Sequence, residues 1–320
     1  MIFDVIIPVY HPDEKLDEIL KSLLRQVATP RHILLMLTLD APGDEKALSE
    51  TYRARDAEKI RTFAVTKTEY DHAATRNKGV SLMEEGAEAF LMMTQDAVPA
   101  DDHMTERLIE AFEDAQVAAA YARQLTGLTD SVAEKCARRF NYPAQSCKKT
   151  IADTERLGIK AFFCSNVCAM YRKDVFEELG GFEAPAIFNE DMVYAARALR
   201  AGYATFYQAA ACVTHAHRYN LRMQFKRSFD NGASQAIRAE VFAGVPPEKE
   251  GKRYVKETVK TLRGVRQSGK IPYFLLQCAC RYAGFRYGRN YNKLSPKKRC
   301  AMSMNPSFWT KYDSLTVGAE

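Results

Sequence analysis

The chain has 320 residues, 47% of them hydrophobic and 27% charged. That balance belongs to an ordinary folded protein and excludes a disordered, collagen-like or membrane-embedded one. The net charge of +6 hides a split: residues 1–214 hold 25 Lys and Arg against 33 Asp and Glu, a net of −8, and residues 215–320 hold 21 against 7, a net of +14. Such an asymmetry predicts a basic C-terminal extension that meets something anionic. The eight cysteines are irregularly scattered and no secretory signal precedes Ile2, so reduced thiols in a cytoplasmic protein are expected.

Val5–Val9 opens the chain as a short apolar strand. Pro12 stands at the expected first helical turn, with Asp13 and Glu14 at the positive end of the dipole. Leu16, Ile19, Leu20, Leu23, Leu24 and Val27 then mark one apolar helix face. The continuous run Ile33–Leu37 reads as a strand buried on both faces. A helix over Asp44–Ile60, a strand at Thr62–Val65, a helix at Ala73–Glu85 and a strand at Ala89–Met93 follow. A helix through Met104, Leu108 and Phe112 and a strand at Val117–Tyr121 complete a five-strand core. Alternation of this kind predicts a mostly parallel α/β sheet flanked by helices.

The pattern loosens over residues 126–160, apart from a short helix at Ser131–Phe140, as in an acceptor-facing insertion. Ala161–Tyr171 reads as a strand, Asp174–Leu179 and Glu190–Ala201 as helices, and Tyr203–Val213 as a strand that delivers His215 and His217. After Tyr219 only helices are expected, at about 221–237, 254–267 and 273–287, before a basic tail at Lys297–Arg299. Ile271–Gly288 is the most apolar stretch, but Gln277, Arg281 and Arg286 interrupt it, and a span needs about 20 mainly apolar residues. The expected division is a domain over residues 1–217 and a basic helical extension over 218–320.

Polar residues collect where strands end, the edge at which open α/β sheets bind anionic ligands. Asp40 ends the second strand, where it can bind a base or sugar or simply turn the chain before Pro42. Asp71-His-Ala-Ala-Thr-Arg-Asn77 brings a carboxylate, an imidazole and a guanidinium together; Arg76 can fork onto a diphosphate. The plain alternative is Asp71 as a helix cap beside a solvated Arg76. Thr94-Gln95-Asp96 follows an apolar strand, and a carboxylate there is expensive to bury without a cation or donors. Asn189-Glu190-Asp191 opens a helix either as a cap or as the source of a general base. One imidazole of His215-x-His217 can join Asp96 and a diphosphate around Mg²⁺ or Mn²⁺.

In order, Ile7–Tyr10, Asp40, Glu69–His72 with Thr75–Asn77, Thr94–Ala97, Cys164–Asn166 with Gly180–Phe182, Asn189–Asp191 and Val213–His217 resemble the family 2 glycosyltransferases. The likeness is to the rhamnosyltransferase-type members of bacterial surface-polysaccharide synthesis, and it covers about residues 3–235. It implies a GT-A fold and inverting transfer of L-rhamnose from dTDP-L-rhamnose to a lipid-linked or polymeric glycan, with UDP- or GDP-sugars as alternative donors. By that resemblance Pro8, Val9, Tyr10, Asp40, Asp71, Arg76, Gln95 and Asp96 bind the donor nucleotide. Asp191 is the base, Asn166 and Glu190 meet sugar or acceptor, and Asp96 with His217 or His215 holds a divalent metal. The family's usual Asp-x-Asp metal motif departs here, because Thr94 occupies the first acidic position.

The basic extension, with Tyr273, Phe274, Tyr282, Phe285 and Tyr287, is expected to dock on an anionic leaflet or a diphospholipid acceptor at the cytoplasmic face of a membrane. Two other classes compete. A sugar-phosphate nucleotidyltransferase favours a Gly-rich phosphate loop, and Val9–Pro12 has no glycine. A nucleic-acid-binding protein needs only the basic helices, but no such module is present and no nucleic acid is expected.

Overall fold

The structure is a computed structural model and describes residues 1–41, 44–127, 129–216, 219–245 and 248–317. His217 therefore lies outside the described residues. In chain order the elements are β1 (Phe3–Val9), α1 (Glu14–Leu24), β2 (Ile33–Leu39), α2 (Asp44–Arg53), β3 (Ile60–Thr66), α3 (His72–Ser81), β4 (Ala89–Met93) and β5 (Val98–Pro99). Next come α4 (Met104–Glu110), β6 (Val117–Leu125), α5 (Val132–Asn141), β7 (Cys147–Lys149), α6 (Thr154–Leu157), β8 (Cys168–Arg172), α7 (Lys173–Glu178), α8 (Glu190–Arg200) and β9 (Ala204–Thr214). The helices α9 (Leu221–Ile237), α10 (Glu248–Gly264), α11 (Ile271–Arg289), α12 (Pro296–Met302) and α13 (Pro306–Val317) close the chain.

The strands form one sheet in the order β3-β2-β1-β4-β8-β6-β9-β5, with β7 also paired to β9. The pairs β1–β2, β1–β4, β2–β3 and β6–β9 are parallel; β8 runs against β4 and β6. The carboxyl ends of β1, β2, β3, β4, β6 and β9 thus meet at one edge, joined there by the amino end of β8. Each face of the sheet has its own apolar core: Val5, Ile7, Leu35 and Leu91 on one side, Ile6, Met36, Phe90 and Tyr171 on the other. Burial on both faces is why these strands read as continuous apolar runs. Pro8 fits in β1 because Val5 N–H donates to His32 O on the β2 side, so by alternation the missing Pro8 N–H faces β4. That ladder stops at Ile6–Met92.

Several sequence expectations shift. Asp13 is itself the cap of α1, accepting from Lys15 N–H at 3.1 Å, and Pro12 lies before the helix. Helix α2 ends at Arg53, and Ile60 pairs with Ile33 as the start of β3. The strand expected over Ala161–Tyr171 is confined to Cys168–Arg172. Residues 158–162 form a 3₁₀ turn that buries Ile159 and Phe162 under α8, so their apolar character comes from packing and not from strand pairing. The expected basic tail at Lys297–Arg299 lies in helix α12, and α13 after it buries Phe308 and Trp309 against Phe229 and Ile187. All eight cysteines are free thiols. Among the described residues no helix is long and apolar enough to cross a membrane.

The C-terminal helices are fastened to the sheet side. Lys311 Nζ donates to Tyr70 O at 2.9 Å, and Ser234 Oγ to Phe188 O at 2.5 Å. Helices α9 and α11 touch at glycine contacts. A Cβ on Gly284 would stand 2.3 Å from Phe225 O, and one on Gly288 2.0 Å from Phe229 O, so their backbones meet with no side chain between.

Candidate active site

One rim of the cleft is built at the ends of β1, β2 and β3. Gln95 treats Tyr10 as a neighbouring strand would. Its Oε1 accepts from Tyr10 N–H at 2.7 Å and its Nε2 donates to Tyr10 O at 2.8 Å. The Tyr10 hydroxyl donates to Asp40 Oδ1 at 3.0 Å and accepts from Lys67 Nζ at 2.8 Å; Lys67 also donates to Asp40 at 2.9 Å. The His11 ring stacks on Tyr10 at 4.0 Å between centroids and bonds to Asp40 through Nε2. Lys67, then His11, hold the Asp40 carboxyl well below the usual carboxylate range, and Tyr10 and Asp40 push the Lys67 ammonium up. The outcome is an exposed aromatic and ionic platform. Lys67 and His11 carry no pattern a sequence reading could use, since each is a single charged or polar residue in a turn.

Asp71 and Arg76 are placed differently from a ligand-facing pair. Asp71 Oδ1 caps α3 by accepting from Ala73 and Ala74 N–H at 3.0 and 2.9 Å, and Oδ2 accepts from Ala186 N–H at 2.9 Å. Both oxygens are thus committed to the backbone. Arg76 is buried: Nη1 donates to His72 O at 2.9 Å and stands 3.4 Å from Glu190 Oε1. The expected diphosphate fork is turned inward onto Glu190.

Around that pair lies a buried network. Asn166, in the turn before β8, donates from Nδ2 to Glu190 Oε1 at 2.9 Å, from its backbone N–H to Asp191 Oδ2 at 2.9 Å, and accepts from Tyr171 Oη at 2.7 Å. Asp191 Oδ1 accepts from its neighbour Met192 N–H at 2.8 Å. Asn189, in the left-handed conformation (φ 62°) that asparagine tolerates, aims the start of α8 and ties it to α9 through Asn231 at 2.8 Å. The two adjacent carboxyls part company electrostatically. Burial opposes charge on Glu190, but Arg76 and His72 outweigh it and hold its pKa down. Burial and the Glu190 charge together push the Asp191 carboxyl up to about 7. Asn166, read from sequence as a sugar contact, sets the positions of both acids.

Asp96 follows β4 and faces His215, which lies just past β9: Oδ1 and Nε2 are 3.4 Å apart. His215 Nδ1 is 3.0 Å from Gln124 Oε1 and 3.2 Å from Arg138 Nη2, which also donates to His215 O at 2.6 Å. Nε2 is thus the ring nitrogen turned toward Asp96, and a proton on Nδ1, shared with Gln124, would leave the Nε2 lone pair free for a cation there. One carboxylate and one imidazole suit a divalent cation that takes its other ligands from a substrate. Among the described residues no group of three or more His, Cys, Asp and Glu stands where it could hold an ion. The Thr94 hydroxyl, where a second acid is usual, is buried without a partner. Gln124 and Arg138 went unread in the sequence because their partner lies 91 and 77 residues away in the chain.

A family model described as Glycosyl transferase family 2 matches residues 4–180. The chain belongs to that family. This family 2 glycosyltransferase is 34% identical over 310 residues to the O-antigen chain rhamnosyltransferase RfbN of Salmonella typhimurium, covering 95% of each chain. It is 32% identical over 312 residues to the O-antigen chain rhamnosyltransferase WbaN of Salmonella anatum, covering 96% of this chain and 95% of the relative. Among solved structures, a mannosyltransferase of Pyrobaculum calidifontis in complex with GDP-Man and Mn²⁺ superposes with a TM-score of 0.56 at 14% identity, over 97% of this chain and 86% of that one. TarS residues 1–349 of S. aureus in complex with UDP-GlcNAc superposes at 0.52 and 14% identity over 92% of each chain. At such identities the likeness is one of fold, and the fold is GT-A.

The Glu190→Gln substitution separates packing from electrostatics in this glycosyltransferase. It strips a buried arginine of its counter-charge, which costs about 3–5 kcal/mol in urea unfolding. It also removes one of the two causes that raise Asp191, so the Asp191 carboxyl titrates lower, as read by ¹³C NMR. An Asp191 that still titrates near its wild-type value of about 7 would show that burial alone sets it.

Proposed function

We propose that this enzyme is an inverting rhamnosyltransferase that moves L-rhamnose from dTDP-L-rhamnose to a hydroxyl of a lipid-linked or polymeric glycan. The observation that carries the transfer mechanism is Asp191, a partly buried carboxyl raised to about 7 beside the donor edge of the sheet. A carboxylate with that pKa takes a proton from an attacking hydroxyl near neutral pH. The acceptor oxygen bonds to the anomeric carbon from the side opposite the departing nucleoside diphosphate, and the configuration inverts through an oxocarbenium-like transition state. The rhamnose assignment is supported by the two nearly full-length relatives named as rhamnosyltransferases.

In this reading the Tyr10 ring, with Asp40 and Lys67, takes the nucleoside, Pro8 and Val9 shape the strand beneath it, and Gln95 fixes Tyr10. Asp71, Arg76, Asn166 and Glu190 are positioning residues: they hold the donor helix and the acid pair in register. Asp96 and His215 are the protein ligands of a divalent metal, which when bound supplies positive charge to the leaving diphosphate. His217 is kept as the alternative imidazole. The helical extension from residue 218 walls the acceptor side and meets the cytoplasmic face of a membrane. Its support is the net charge of that segment and the exposed Tyr273, Leu275, Leu276, Tyr282 and Tyr287 of α11.

Four measurements test the parts. Asp191→Asn should lose about 10²–10⁴-fold in kcat. In the wild type kcat/KM should rise through pH about 7 as Asp191 deprotonates, and a flat profile across that region would remove Asp191 as the base. dTDP-L-rhamnose should raise the melting temperature more than UDP- or GDP-sugars, and more with Mn²⁺ than with EDTA. A preference for another nucleotide overturns the rhamnose reading, and indifference to EDTA overturns the metal. In liposome flotation the protein should rise with anionic but not neutral vesicles, and salt-independent failure to rise would end the membrane role.

A further inference from the structure

Behind His215, on the side away from Asp96, is a cavity of about 370 Å³ between the end of β6, one face of α5 and the last turn of α10. Arg123, Lys135, Arg138 and Arg139 line it, and among the described residues no Asp or Glu does. Arg123, Lys135 and Arg139 make no ion pair with any described carboxylate, whereas Arg138 is engaged with Gln124 and His215. Asp130 and Asp96 offset Arg138 in part, but the like charges gathered in this concave space repel one another, a cost that a multiply charged anion removes. The volume lies at the low end of ligand sites and is many times the ~30 Å³ that one water occupies. The Arg123 and Arg139 guanidiniums suit phosphate oxygens, which a guanidinium grips with paired donors.

The position of the cavity tells which phosphate. His215 stands between it and Asp96, Nε2 toward one and Nδ1 toward the other, so the nucleotide's own phosphates at Asp96 are on the opposite side of the ring. On the cavity side, Gln124 Nε2 donates to Ser165 Oγ at 3.0 Å, and the next residue, Asn166, donates its N–H to Asp191. Buried Gln124 and its partner Ser165 thus stand between the cavity wall and the residue that holds Asp191. We infer that the cavity binds a phosphate or diphosphate ester carried by the acceptor, anchoring the anionic end while the sugar hydroxyl faces Asp191; this rests on Asp191 as the base.

The test compares two acceptors with the same sugar, one a diphosphate ester and one an uncharged methyl glycoside, on the full chain and on the double variant Lys135→Ala/Arg139→Ala, whose sites are exposed on α5. The wild type should favour the diphosphate acceptor, and the variant should raise its KM by about tenfold or more while donor KM stays put. An unchanged acceptor KM overturns the inference. So does a rise in donor KM, which would make this the nucleotide's phosphate site. Loss of flotation on anionic vesicles with acceptor KM unchanged also overturns it, because the cations then read bilayer phosphate. If neither acceptor is used by the wild type, it is the transferase reading that fails. Calorimetry with inorganic pyrophosphate then decides the cavity alone: binding lost in the variant sustains an anion site, and binding retained removes it.

Discussion

The contact between Arg76 and Glu190 is the constraint on which the active site depends. It joins α3, the helix after β3, to the start of α8, and both partners are withdrawn from water. A buried pair of this kind contributes little net stability, since desolvation offsets most of the attraction. Its effect is on register. With Glu190 kept charged by Arg76 and held by Asn166, its neighbour Asp191 is left to carry the electrostatic penalty, which is the state a base working near neutral pH requires.

The rest of the cleft follows from sheet direction. Six parallel strands deliver their last residues to one edge, and the reversed β8 contributes its first, so residues as distant as Tyr10, Asp40, Asp96, Asn166 and His215 share a rim. Several side chains there complete the scaffold. Gln95 binds the Tyr10 backbone through its amide beyond the end of the β1–β4 ladder, and Asp71 spends both oxygens on backbone N–H groups. Polar residues at a strand end are thus of two kinds, those that face the cleft and those that make its walls rigid.

That distinction marks how far the sequence could be read. The β1, β2, β4 and β6 runs were legible because both faces of the sheet are covered, which leaves long apolar strings. The motif residues were legible as a set, since they recur at strand ends. Their individual tasks were not: Arg76 as a diphosphate fork and Arg76 as a buried partner of Glu190 have the same local sequence, and only the position of α8 separates them. Lys67, His11, Gln124 and Arg138 were missed because each acts across a long chain separation without periodicity. The segment 161–171 misled for a related reason. Its apolar residues belong to a 3₁₀ turn and a strand, divided by the loop that carries Asn166.

The glycine contacts between α9 and α11 have a mechanical side. Backbones that touch without intervening side chains have no rotamers to absorb displacement, so the two helices move as one stiff beam. One end of that beam presents Leu275 and Leu276 outward; along its other helix Asn231 holds Asn189, the residue that aims the start of α8. A force applied to the outer face is carried with almost no slack to the acid pair, through two helices and the contacts of Asn231 and Ser234.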